Sequence, residues 1–133
     1  MEDTNYEVYY LPQFKKEFTN YPTYQQDKIL DFTDIYEVYG LSNFDKYEGK
    51  ITPSWSNLDP SDPNYSYTRD NNLWHYHIGI PEYKQMHSKY KTSKVVLHFQ
   101  WEDKGNIINL VDLYNHYLRD GTFYLPPKIS LIT

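Results

Sequence analysis

Hydrophobic and polar positions alternate along Leu73-Trp74-His75-Tyr76-His77-Ile78-Gly79-Ile80-Pro81. On an extended chain Trp74, Tyr76, Ile78 and Ile80 point one way, and Leu73, His75, His77 and Gly79 the other. The first set makes a core surface. Two histidines on the second make a face that is either wet or chemically active. The same alternation returns in Val95-Val96-Leu97-His98-Phe99-Gln100-Trp101, where Val96, His98 and Gln100 share the polar side. Ile107 to Tyr117 is nearly continuously apolar to Leu113, which suits a central strand, and then turns polar at Asn115 and His116. Asp103-Lys104-Gly105-Asn106 joins these last two strands as a tight hairpin turn.

Earlier in the chain the period changes. Tyr6 to Leu11 is rich in β-formers and stops at Pro12, which predicts a first strand. Phe14 and Phe18, then Ile29, Phe32, Ile35 or Tyr36, and Tyr39 recur at three- and four-residue steps, the spacing of amphipathic helix. Pro22 steers the residue before it out of helical geometry, so two helices are predicted, over 13–20 and 23–38, with Gly40 as the terminating cap. Tyr47 to Thr52 reads as a second strand closed by Pro53. Ser54 to Asn72 carries Pro60, Pro63 and no periodicity, and reads as a long loop. Leu118 to Thr133 receives no assignment.

These elements predict one α+β domain over residues 1–133. It is an antiparallel-rich twisted sheet of about five strands, with an N-terminal helical hairpin packed on one face. The period-two phase puts His75, His77 and His98 on the face away from the helices. His116 joins them if Asp112 and Tyr114 share that face, but Ile108 and Leu110 would then also point outwards.

Composition narrows the chemistry. The chain has no cysteine, which excludes a disulfide framework, a zinc–thiolate site and a thiol nucleophile. No apolar run approaches the ~18 residues of a membrane span, and the acidic start Met1-Glu2-Asp3 is unlike a signal peptide, so a soluble, cytoplasmic protein without membrane contact is expected. The net charge of −5 argues against indiscriminate coating of nucleic acid. One local basic stretch stands out, with Lys84, Lys89, Lys91 and Lys94 interleaved with Tyr83 and Tyr90.

The residues Leu73-Trp74-His75-Tyr76-His77-Ile78, Lys94-Val95-Val96-Leu97-His98-Phe99 and Tyr114-Asn115-His116-Tyr117-Leu118-Arg119-Asp120, with a strand and helical hairpin ahead of them, resemble the RelE/ParE superfamily of bacterial toxins. The YafO-type mRNA interferases are the closest flavour. The resemblance implies a RelE-like fold, cleavage of mRNA at the ribosome without a metal or other cofactor, inhibition of translation, and a cognate antitoxin encoded nearby. Family members are usually basic and place arginine in the site. This chain is acidic and holds only Arg69 and Arg119, which leaves lysine and histidine to do that work.

RNA carries its own nucleophile, the 2′-OH, so cleavage needs a base there, an acid at the leaving 5′ oxygen, and positive charge on the phosphoryl oxygens. His75, His77, His98 and His116 are the candidates for proton transfer, since an imidazole titrates near ~6.5. Lys50, Lys94 and Arg119 are candidates for phosphate stabilisation. Lys84, Lys89, Lys91 and Lys94 are candidates for RNA binding, with Tyr76 or Tyr117 stacking on a base.

Other readings share these residues. A histidine on an open sheet face is ordinarily a solvated surface residue, and a lysine cluster a solvated loop. His75-x-His77, with His98 on a neighbouring strand and Asp112 or His116 beyond, also has the composition of a histidine-rich metal site. A non-catalytic ParE-like inhibitor has the same fold but no need of proton-transfer groups.

Overall fold

The computed structural model describes residues 5–56, 58–85 and 91–132. Its regular elements are β1 (Glu7–Tyr10), α1 (Pro12–Phe18), α2 (Thr23–Tyr39), β2 (Ile51–Pro53), α3 (Pro63–Asp70), β3 (Leu73–Ile80), β4 (Val95–Gln100) and β5 (Ile107–Asn115). The strands form one mixed sheet in the order β1-β5-β4-β3-β2. β1 runs parallel to β5, and the other neighbours are antiparallel. The architecture is α+β, as the sequence pattern predicts.

Each helix follows from local chemistry. Pro12 opens α1 at a position where a missing N–H costs nothing. In α2 the buried residues are Ile29, Phe32, Thr33 and Tyr36, one stripe at three- and four-residue spacing. Gly40 ends it at φ 62°, its N–H donating to the Tyr36 carbonyl at 2.7 Å. A β-carbon there would run into the ring of Tyr6, so glycine is required for packing as well as for the turn.

Phe14, Ile29, Phe32 and Tyr36 join Trp74, Tyr76, Ile78, Ile80, Leu97, Phe99, Ile108 and Leu110 in the main core. Phe32 stacks on Tyr76 with centroids 4.8 Å apart, a contact worth ~0.5–1.5 kcal/mol beyond the area it buries. Trp74 sits among the rings of Phe44, Trp55 and Trp101.

The stretch expected to be a structureless loop, Ser54 to Asn72, contains α3. Asp62 caps it by accepting from the Asn64 amide at 2.8 Å, and Pro63 occupies its first turn. Nor do helices pack on one face only. Tyr67 of α3 packs against Leu11, Leu73, Val111 and Leu131, a second small core. Leu73 shares its side of β3 with His75 and His77, so α3 covers part of the histidine face. The second strand is also shorter than predicted, with Pro53 inside it rather than beyond it.

Candidate active site

Two strands and the residue after a third bring four histidines together. His75 and His77 lie on β3, and His98 on β4 pairs directly across from His75. His116 follows β5 and is held there by its amide, which donates to the Lys94 carbonyl at 2.9 Å. Ring centroids are 4.8 Å apart for His75 and His116, 5.1 Å for His77 and His116, 5.6 Å for His75 and His77, and 5.8 Å for His75 and His98.

A β-bulge resolves the phase of β5. His98 pairs with Asp112, but Phe99 pairs with Leu110, leaving Val111 as an extra residue. Ile108 and Leu110 therefore reach the main core, whereas Val111 packs into the second. Beyond the bulge, Asp112 lies opposite His98, and Leu113 opposite Leu97. Strict alternation cannot put both Leu110 and Leu113 on the helix face. One inserted residue does so, and it carries His116 to the other histidines.

Two of the rings are oriented by nearby polar groups. Ser54 Oγ stands 2.9 Å from His75 Nδ1. His77 Nδ1 stands 2.9 Å from the Ser93 carbonyl oxygen and 3.0 Å from its amide nitrogen. Ser93 thus suits either neutral tautomer. Among the described residues His98 has no hydrogen-bond partner at either ring nitrogen, and neither has His116 Nδ1 nor Asp112 Oδ1.

The histidine face is buried, not open as the sequence reading expects. His75, His77 and His98 are 7%, 5% and 1% exposed. The cover comes from the tail that received no assignment. Leu118 and Thr122 close a tight turn, and Tyr124 N–H returns to the His116 carbonyl at 3.0 Å. That return stacks Phe123 on His116 and Tyr124 on Tyr114. The Tyr124 hydroxyl donates to Asp112 Oδ2 at 2.6 Å.

Burial also sets the protonation states, since a charged imidazole loses hydration it cannot recover there. It holds His75 well below its ordinary value, with the neighbouring histidines and Lys50 adding to the effect. His77 is lowered by burial against an opposing bond to Ser93. His98 falls to about 3 and His116 to about 4, in both cases chiefly through burial. Asp112 moves the other way, raised to about 7 by burial against the opposing Tyr124 bond. At neutral pH the cluster is a set of uncharged imidazoles beside a carboxyl that burial pushes towards its protonated form.

The four histidines open onto one pocket of about 810 Å³. Lys50, Lys94 and Arg119 line it together with Ser54 and Tyr117, and all three cations are exposed. Lys50 is placed by β2, its carbonyl accepting from the His77 amide and its own amide donating to the Lys91 carbonyl, both at 2.9 Å. The approach requires Gly49, where a β-carbon would collide with the carbonyl oxygen of His77. Neither Lys84 nor Lys91 is among the residues that line the pocket. Lys91 pairs with Glu48 at 2.7 Å, Lys84 is exposed outside the pocket lining, and Lys89 falls outside the described residues. Ser54, Ser93 and Tyr124 were not visible as site residues in the sequence, because nothing in their local pattern ties them to the strands they serve.

Comparison of the chain with protein-family models, with curated proteins and with solved structures finds no match in any of the three. No helix among the described residues is long and apolar enough to cross a membrane.

Proposed function

We propose that the protein is a RelE-like toxin of a type II toxin–antitoxin system, an endoribonuclease that cuts mRNA at the ribosome and stops translation in the cytoplasm. The observation that carries the reading is the convergence of His75, His77, His98 and His116 on one pocket whose rim holds Lys50, Lys94 and Arg119. The element order supports the resemblance in outline: a strand, two helices, then four antiparallel strands, β2 to β5, whose last member pairs with the first, with α3 inserted between β2 and β3.

The chemistry uses the substrate's own 2′-OH. A neutral imidazole takes its proton as the oxygen attacks phosphorus, forming the cyclic phosphate, while the bond to the 5′ oxygen breaks and a second group returns a proton to it. The neutral imidazoles hold the lone pair that the first role needs, and the phosphodiester's negative charge brings their lowered basicity back towards working pH. For the second, the entering phosphodiester brings a negative charge that raises the pKa of the nearest imidazole. Lys50, Lys94 and Arg119 face the charge that develops on the phosphoryl oxygens, and exposed Tyr117 offers a face for a base. The reaction needs no metal. A partner antitoxin would act by closing this pocket.

Induced expression in bacteria, with translation followed by amino-acid incorporation and mRNA 5′ ends mapped, tests the reading. The expected result is growth arrest with new 5′ hydroxyl ends inside coding regions. Normal growth with soluble protein accumulating would sink it.

A further inference from the structure

Three of the four histidines form a set whose chemistry does not depend on RNA cleavage. We infer that His75, His77 and His116 form a binding site for one late divalent transition-metal ion, of the class of Zn²⁺, Ni²⁺ or Cu²⁺. One ring nitrogen from each residue can be chosen so that all three lie within 4.8 Å of one another. Tetrahedral zinc with nitrogen at 2.0–2.1 Å needs nitrogens about 3.3 Å apart, so small side-chain rotations complete the set.

Two further observations point the same way. Metal-bound histidines commonly donate their other ring N–H to a carbonyl or similar acceptor, which fixes the tautomer and aims the lone pair. His77 Nδ1 has the Ser93 carbonyl at 2.9 Å, and His75 Nδ1 has Ser54 Oγ at 2.9 Å. With both Nδ1–H groups donating outwards, each Nε2 presents its lone pair. The ligands also sit on paired strands, since β3 supplies two and His116 is tied to the β4 end through Lys94. Such a frame keeps the set together before any ion arrives.

The donor set selects the metal class. Three imidazoles without a carboxylate in the trio suit borderline ions and offer little to Mg²⁺ or Ca²⁺, which require oxygen. Three protein ligands leave a fourth position facing the pocket. Lys50, Lys94 and Arg119 on the rim oppose the ion's charge and favour an anion, hydroxide or a phosphate oxygen, in that position. If the pocket also cleaves RNA, a bound ion occupies the nitrogens that must move protons, and Zn²⁺ inhibits. That last step alone rests on the ribonuclease reading.

The test uses the full chain, stripped with EDTA, exchanged into chelator-free buffer and titrated with ZnCl₂ and separately with CoCl₂. One equivalent of Zn²⁺ should bind, and Co²⁺ should give the visible bands of a tetrahedral nitrogen site. His116→Ala, on a half-buried residue at a strand end, should lose the site while still folding. Ser54→Ala should weaken it by roughly 10- to 100-fold, the usual worth of an outer partner. Absence of binding by the parent protein overturns the inference, and so does one equivalent bound unchanged by His116→Ala and His77→Ala. Cleavage assays on the same samples separate the two proposals. Zinc-activated, EDTA-sensitive cleavage would leave the metal site standing and remove the metal-free mechanism, whereas zinc binding without any cleavage would remove the ribonuclease alone.

Discussion

His77 Nδ1 faces both backbone groups of Ser93, the carbonyl oxygen at 2.9 Å and the amide nitrogen at 3.0 Å. The ring is thus oriented by main chain, where no side-chain substitution at position 93 removes the partner. Whichever proton His77 carries on Nδ1, Ser93 accommodates it, and Nε2 takes the complementary state. A base that passes through both states during turnover gains from such a neighbour.

From this geometry His75→Ala, His77→Ala and His116→Ala should each lower RNA cleavage by ~10²–10⁴, the worth of a positioned acid or base. The melts should differ. His116 is half-buried at a strand end and its loss should barely shift the melting temperature, whereas His75 and His77 leave holes beneath the tail. His116→Ala is therefore the cleanest of the three. A fully active His116→Ala protein with a parental melt would show that the pocket does not carry the chemistry.

Trp74 is 6% exposed and ringed by Phe44, Trp55 and Trp101. Trp74→Ala should cost ~3–5 kcal/mol, since the surrounding rings cannot collapse into the volume it leaves. Urea unfolding of parent and variant measures this. A loss below 1 kcal/mol, less than the ~3 kcal/mol floor for such a truncation, would mean that the aromatic cluster is loosely packed.

Acid should destabilise the fold. An unfolded histidine titrates near ~6.5, while folded His98 and His116 are lowered to about 3 and about 4. Between those values the unfolded chain binds protons that the folded one refuses. Their contribution is therefore full above about 6.5 and falls as pH drops towards about 3. Asp112 has the opposite sign. Raised to about 7 in the fold against ~3.9 unfolded, it stabilises fully below ~3.9 and loses that contribution as pH rises through about 7. Four lowered imidazoles outweigh one raised carboxyl, so melting temperature should fall from pH 7 to pH 4. Asp112→Asn should melt above the parent at pH 8, with the gap closing on acidification. A flat acid profile would contradict the burial of the histidines.

The histidine face was legible in the sequence because alternation at Trp74, Tyr76 and Ile78 fixes which way His75 and His77 point. His98 was legible for the same reason on Val95, Leu97 and Phe99. His116 was legible only on a condition, that Asp112 and Tyr114 share its face, since a bulge at Val111 has no signature in a run as apolar as Ile107 to Leu113. The cover over the site was hidden for a different reason. Phe123 and Tyr124 reach it by a turn at Leu118–Thr122, and the contacts that hold them, to His116 and Asp112, tie an aperiodic tail back to the fifth strand, which no local pattern announces. α3 was missed although Asp62-Pro63 is a helix start, because a helix of eight residues, Pro63–Asp70, is too short for a hydrophobic period to declare itself.

Rim cations should matter less than the histidines, and unequally. Lys50 is tethered by backbone bonds to the strand bearing His77, and it shares the pocket with Arg119, which rides on the tail. Removing a donor to developing charge can cost 10²–10³ when nothing replaces it. Here Lys50, Lys94 and Arg119 stand round one opening and partly cover for each other, so single alanine variants at Lys50 and Arg119 should lose about tenfold. The Lys50→Ala, Arg119→Ala double variant should lose more than the product of the two. Lys84 is exposed and lies outside the pocket lining, and Lys84→Ala should stay within about twofold of the parent, as expected of a solvated charge screened by salt. Lys91 is held by Glu48 at 2.7 Å, so Glu48→Ala releases a cation next to β2 and should raise affinity for RNA at low salt without changing the cleavage step. Single-turnover cleavage and RNA binding, measured across a salt series, separate these effects. Equal losses at Lys84 and Lys50 would mean that the cations act by general attraction, and the assignment of Lys50 to the phosphate would fall.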